Sequence, residues 1–173
     1  MDDNQRVYGD GFTVPDDYMS FELTVNCRNT RAIHREVMKF YEGQIVPEVR
    51  GPEGRAVELI HTDDARATVA GVIERLCGTE EIPPQDVVVL SAHGWENSQI
   101  AAGLPGRFTL AAERGKLGSY VQFSSIRAFK GLESPVVILS ELEDLDEATH
   151  AQQLYVGLSR ARNHCVIVAP PAV

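Results

Sequence analysis

The chain has only three cysteines in 173 residues, Cys27, Cys77 and Cys165. They are odd in number and far apart, which argues against a disulfide framework and offers no C-x-x-C metal site; reduced thiols fit the cytosol. The five histidines, His34, His61, His93, His150 and His164, have no H-E-x-x-H or comparable spacing, so they read as scattered or internally satisfied rather than as ligands. No apolar run approaches the roughly 20 residues that span a bilayer, and the acidic N-terminus does not resemble a basic secretory signal. We therefore expect a cytoplasmic protein. Positive charge is also lacking. A formal net charge of -9 excludes nucleic-acid binding driven by bulk electrostatics, because neutralising phosphates takes concentrated Lys and Arg. Neither an internal repeat nor a low-complexity segment is present.

What is there suits one globular domain: 43% hydrophobic and 24% charged residues in a length that can bury a proper core. Residues 1–18 have no sustained periodicity, and Gly9, Gly11 and Pro15 mark turns. Phe21–Val25 alternates as a strand does. Asn29 or Thr30 then caps a helix carrying Ile33, Val37, Phe40 and Tyr41, which Gly43 and Pro47 stop. The polar segment between them is thus expected at a strand's carboxyl edge, where open parallel sheets bind ligands. After a Gly51-Pro-Glu-Gly54 turn, Val57–His61 reads as a strand. Asp63 or Asp64 caps a helix with Ala65, Val69, Val72, Ile73 and Leu76 on one face, ending at Gly78. Val87–Leu90 is a uniformly apolar strand, residues 91–104 hold a short helix, and Leu104-Pro-Gly106 is a turn. Strands at 119–123, 136–139 and 165–168 follow. Asp146 caps a helix carrying Ala151, Leu154, Tyr155 and Leu158. This alternation predicts an α/β domain with a mainly parallel sheet flanked by helices.

The centre of the pattern is Ser124-Ser-Ile-Arg-Ala-Phe-Lys-Gly-Leu-Glu133, a polar glycine-containing loop between two strands. Irregular backbone of this kind leaves N–H groups free to meet an anion, which makes Lys130 beside Gly131 a phosphate-site candidate. Basic residues cluster around the same segments: Arg28, Arg31 and Arg35, then Arg127 and Lys130, then Arg160 and Arg162. Acids collect elsewhere, notably at Glu141–Glu147, a pattern that reads as a solvated loop and helix start.

Four segments in order, Asp2-Asp-Asn-Gln-Arg-Val-Tyr8, Leu23-Thr-Val-Asn-Cys-Arg-Asn-Thr30, the loop just quoted, and Gln153-Leu-Tyr-Val-Gly-Leu-Ser-Arg-Ala-Arg162, resemble motifs III, IV, V and VI of UvrD/Rep-like superfamily 1 DNA helicases. The resemblance implies the C-terminal, second RecA-like motor domain, a P-loop NTPase-like fold without its own P-loop. It divides the chain into a linker at 1–18 and the domain at 19–173, and suggests a fragment of a longer protein. The interval from Arg28 to Ser125 is already filled by core elements, so a full-sized helical insertion is not expected.

By that resemblance, Gln5 senses the γ-phosphate, and Arg28 and Arg160 reach the triphosphate across a cleft, Arg160 as an arginine finger exposed there and outside the core. Guanidinium suits the task, being always charged and forked toward phosphate oxygens. Gly131 and Glu133 lie by the nucleotide's sugar and phosphates. The sequence has no G-x-x-x-x-G-K-[ST] and no counterpart of the family's magnesium-binding Asp-Glu pair. ATP and Mg²⁺ are therefore expected to be held jointly with an N-terminal RecA-like domain, Mg²⁺ by that domain's residues, and the isolated chain is expected to hydrolyse nothing. Tyr8, Ser125 and Arg127 take the places of single-stranded DNA contacts. Three departures stand out: Cys27 replaces the Tyr that stacks on adenine, Ser125 and Arg127 replace Thr and His, and Gly9-Asp10 replaces Gly-Trp, removing a stacking ring. A regulatory or docking module of the same fold, without turnover, is the alternative reading.

Overall fold

Val87–Ser91 is buried at all five positions, and a strand without polar alternation has to be covered on both faces. The computed structural model describes residues 25–41, 46–113, 118–142 and 147–171 and supplies both covers. In chain order the elements are β1 (Val25–Asn26), α1 (Arg31–Met38), β2 (Glu48–Val49), β3 (Glu58–His61), α2 (Ala65–Ile73), β4 (Val87–Ser91), β5 (Thr109–Ala111), β6 (Tyr120–Ser125), β7 (Ser134–Ser140), α3 (Glu147–Leu158) and β8 (Ala161–Ala169). Strands β3 to β8 form one six-stranded sheet in the order β3-β8-β7-β4-β6-β5, with every neighbouring pair parallel. The expected parallel α/β architecture is therefore present.

Side chains two apart on a strand share a face, and the two cores follow that rule. On one face Val88, Leu90, Val137 and Leu139 meet α1, α3 and the turn residues Ile126 and Phe129. On the other, Val87, Val89, Phe123, Ile138 and Val166 meet α2 and the segment carrying Ile100, Phe108 and Leu110. The capping residues are Thr30, whose hydroxyl accepts from Ile33 N, and Asp64, whose carboxylate accepts from Ala67 N. A six-residue π-helical turn, Glu74–Thr79, continues α2 and keeps Leu76 in the core.

Several sequence expectations need correction. Among the described residues β1 pairs only with β2, in a separate two-stranded sheet, so the segment after it does not leave the main sheet's carboxyl edge. Residues 91–104 contain only a single 3-10 turn, Trp95–Asn97, because the polar groups that follow bond to Glu141 instead of to a helix. β7 begins at Ser134 rather than Val136, and the register against β8 shifts between Ser134 and Val136, which lets Pro135 sit in a strand without a ladder donor. Glu141 is buried rather than solvated. Residues 21–24 of the strand expected at 21–25, the Asp146 cap and residues 1–18 lie outside the described residues.

Candidate functional site

Asn26 shapes the segment that follows it. Its Oδ1 accepts from the backbone N–H of Arg28 at 2.9 Å and of Asn29 at 3.3 Å, a local turn that Asn forms readily. Its amide also lies 3.1 Å from Nδ1 of His34, whose burial holds its pKa below the ordinary 6.5. Asn29 is buried and donates to the carbonyl of Ala161 at 2.5 Å, while the N–H of Thr30 donates to the carbonyl of Arg162 at 3.2 Å. These bonds fix the segment against the start of β8.

The first amides of α1 are already satisfied: Arg31 N and Ala32 N donate to the carbonyls of Pro52 and Glu53 at 2.9 and 3.0 Å. The helix start is therefore closed to an anion. This docking requires glycine, since a Cβ on Gly51 would come within 2.6 Å of the Asn29 carbonyl and Gly54 has φ +74° against Thr30.

Three residues far apart in sequence converge here. Nε of Arg28 is 3.0 Å from Oε2 of Glu133, and Nη1 of Arg162 is 3.7 Å from Oε1 of the same carboxylate. The three side chains are 43–52% exposed. Gly131, at φ +85°, makes the left-handed bend that brings Glu133 to the head of β7. The Ser134 N–H then donates to the Arg160 carbonyl at 3.0 Å, and Ser134 pairs in register with Ala161. Arg28, Gly131, Glu133, Arg160 and Arg162 thus share the amino ends of β7 and β8. Cys27 is exposed on the segment beside Arg28. Exposed ion pairs of this kind contribute about 0–1 kcal/mol, so this one is readily exchanged for another anion.

Arg160 is not exposed at a cleft. It is 1% accessible, and among the fully buried side chains it is the largest. Its Nε donates to the Val156 carbonyl at 3.1 Å and its Nη2 to the Ser159 hydroxyl at 2.8 Å; a longer contact of 3.5 Å reaches the Leu132 carbonyl. The guanidinium ties the end of α3 to the turn before β7. The expectation that this residue lies outside the core is corrected: its fork is spent on the chain's own carbonyls.

Ser125 and Arg127 lie at the opposite end of the sheet. Ser125 pairs with Ser91, which pairs with Ser140 at the end of β7. Seven residues of extended chain separate the two edges by about 20 Å. The Ser125 hydroxyl accepts from Ala128 N at 3.1 Å and starts the turn that carries the exposed Arg127. Glu141, which the sequence did not mark, governs this edge. Its carboxylate accepts from the hydroxyls of Ser91 and Ser98 at 2.6 and 2.7 Å and from Gln99 N and Ile100 N at 2.8 and 3.2 Å. Only its place after an apolar strand could have hinted at this. Gln5 and Tyr8 lie outside the described residues. No helix among the described residues is long and apolar enough to cross a membrane.

Residues 120–168, which carry both edges, match the family model described as the UvrD-like helicase C-terminal domain. No curated protein matches the chain. Among solved structures, the C-terminal domain of a possible DNA helicase from Lactobacillus plantarum WCFS1 superposes with a TM-score of 0.60 at 17% identity, covering 85% of this chain and 89% of that one. That similarity establishes the fold. In sequence, over residues 120–168, this chain resembles the C-terminal domain of UvrD-like helicases, and in fold, over most of its length, it resembles that solved C-terminal domain.

Proposed function

We propose that the chain is the second motor domain of an ATP-dependent DNA helicase or translocase, with the amino edge of β7 and β8 as one wall of a shared nucleotide site. The observation that carries this reading is the convergence of Arg28, Glu133 and Arg162 on one exposed edge. Two guanidinium groups around one carboxylate form a site for a polyanion, held closed by an exchangeable ion pair. In the proposal a triphosphate draws Arg28 away from Glu133, whose carboxylate then accepts a ribose hydroxyl. The same donor set does not suit Mg²⁺, which needs several oxygen ligands without competing cations. The metal is accordingly assigned to the P-loop domain across the cleft.

Arg160 acts in this scheme from below, holding the Val156 and Leu132 carbonyls and the Ser159 hydroxyl that frame the site. Charge stabilisation in the transition state falls first to Arg28. The carboxyl edge, with Ser125 and Arg127, is proposed as part of the single-stranded DNA path, so that nucleotide and strand engage opposite ends of the same sheet.

The test is DNA-stimulated ATP hydrolysis by a motor carrying this domain together with a P-loop domain. Arg28→Ala is expected to lower kcat on the order of 10²-fold or more, with a smaller effect on nucleotide affinity, while the isolated chain turns over no ATP. Unchanged turnover in Arg28→Ala and Glu133→Gln would show that this edge is not a nucleotide wall, and would favour a docking module of the same fold.

A further inference from the structure

We infer that Trp95 is a base-stacking platform for single-stranded nucleic acid, held in place by Glu141. This rests on the reading of the carboxyl edge as part of the strand path and names the contact that the path would use.

Trp95 is the chain's single tryptophan, and its side chain is 39% exposed. Among the exposed large hydrophobics of the described residues, Val25, Val46, Leu59, Trp95 and Leu132, it is the one aromatic. It sits just beyond the carboxyl end of β4, next to β6, whose last residue Ser125 opens the turn bearing Arg127. Its ring meets Phe123 edge to face, with centroids 5.5 Å apart and planes at 82°. That contact fixes the indole's orientation while leaving part of it in solvent. A rigid, partly exposed ring at the same edge of the sheet as a basic turn offers what a sequence-tolerant stack requires: one face for a base and one cation for a phosphate. His93 and Glu96 are near Trp95 in sequence, and Glu96 is exposed.

The second observation is the cost of the support. Glu141 is 5% exposed and holds a left-handed backbone, φ +57°, unusual outside glycine and asparagine. Its carboxylate binds Ser91 before Trp95 and Ser98, Gln99 and Ile100 after it, closing the segment 91–100 at both ends. Ser98 Oγ in turn accepts from Ala101 N at 3.0 Å. A strained, buried carboxylate that clamps both ends of one short segment is a device for holding what lies between, and what lies between is the exposed ring.

Because Trp95 is the single tryptophan, its emission reports on this site without labels. The experiment titrates the wild-type chain with an oligothymidylate of about fifteen nucleotides, within the usual site size, reading Trp emission and, separately, anisotropy of a labelled oligonucleotide. Quenching is expected to track binding. Trp95→Ala should weaken binding roughly 5- to 150-fold, Trp95→Phe should recover most of the loss, and Trp95→Leu, which still covers Phe123, should not. Binding by anisotropy with unchanged emission, and with Trp95→Leu binding as wild type does, overturns the platform while leaving the strand path in place. An absence of oligonucleotide binding by the wild-type chain overturns both.

Discussion

Replacing Arg160 by alanine separates a cleft-facing residue from a structural one. The substitution removes donors from the Val156 carbonyl and the Ser159 hydroxyl, with a weaker loss at the Leu132 carbonyl. At about 1 kcal/mol net for each such bond, the polar loss is about 3 kcal/mol. Truncating the largest fully buried side chain adds a cavity term, which brings the total to about 3–5 kcal/mol. For a domain of this size each kcal/mol lowers Tm by about 2–4 °C, so a fall of about 10 °C is expected by circular dichroism or calorimetry. Arg160→Lys should recover less than half, since one ammonium cannot reach acceptors on two separate segments. Arg28→Ala, which breaks an ion pair between half-exposed partners, serves as the internal control and should shift Tm little. If Arg160→Ala melts as the wild type does, the guanidinium does not hold α3 to the turn before β7, and the cleft-facing reading returns.

Glu141→Ala leaves two hydroxyls and two backbone N–H groups without their acceptor and should cost about 3 kcal/mol or more in urea denaturation, with Glu141→Gln milder; equal midpoints would refute the clamp. Thiol modification at pH 8 should proceed first at the exposed Cys27, slowly at Cys77, whose pKa burial pushes up to about 11, and at the buried Cys165 only on unfolding. Fast reaction of Cys165 in the folded chain would contradict the core assignment. Burial lowers the pKa of His34 and His164 below the ordinary value of 6.5. For His164 that outweighs Glu58 and Glu80, which favour protonation, and adds to Arg55 and Arg75, which oppose it. A base whose folded pKa is depressed leaves the unfolded state holding more protons, so stability is full above about pH 6.5 and declines as pH falls through it. Melting temperature measured between pH 8 and 5 should follow that course, with a shallower slope in His164→Gln; stability rising toward pH 5.5 would reverse the assignment.

Local chemistry was legible in the sequence and long-range placement was not. Thr30 and Asp64 could be read as caps because a cap acts within three residues, and the middle strand because five buried positions leave it unbroken. β5 escaped because three residues carry no period, and the start of β8 because Arg162, Asn163 and His164 hide the strand pattern. Arg28, Glu133 and Arg160 could be picked out by resemblance, yet nothing local to Arg160 foretells its burial. Its nearest acceptors, Val156 and Ser159, are local, but the Leu132 carbonyl is brought over it from across the fold. The same holds for Glu141, which sits in a run of acids: the Ser91 and Ser98 hydroxyls and the amides of residues 99 and 100 reach it from far along the chain.

β7 has a mechanical meaning beyond its place in the core. It is hydrogen-bonded along both sides, to β4 and β8, and its residues from Val136 to Ser140 are buried. A strand held in that way behaves as a strut: it can translate or tilt with the sheet, but it cannot stretch or buckle, because interiors packed to crystal density have little compliance. One glutamate stands at each end, Glu133 gripping two arginines and Glu141 gripping the turn beyond Trp95. A displacement imposed on one grip is therefore delivered to the other as motion of a rigid member about 20 Å long, with no chain of side-chain rearrangements in between.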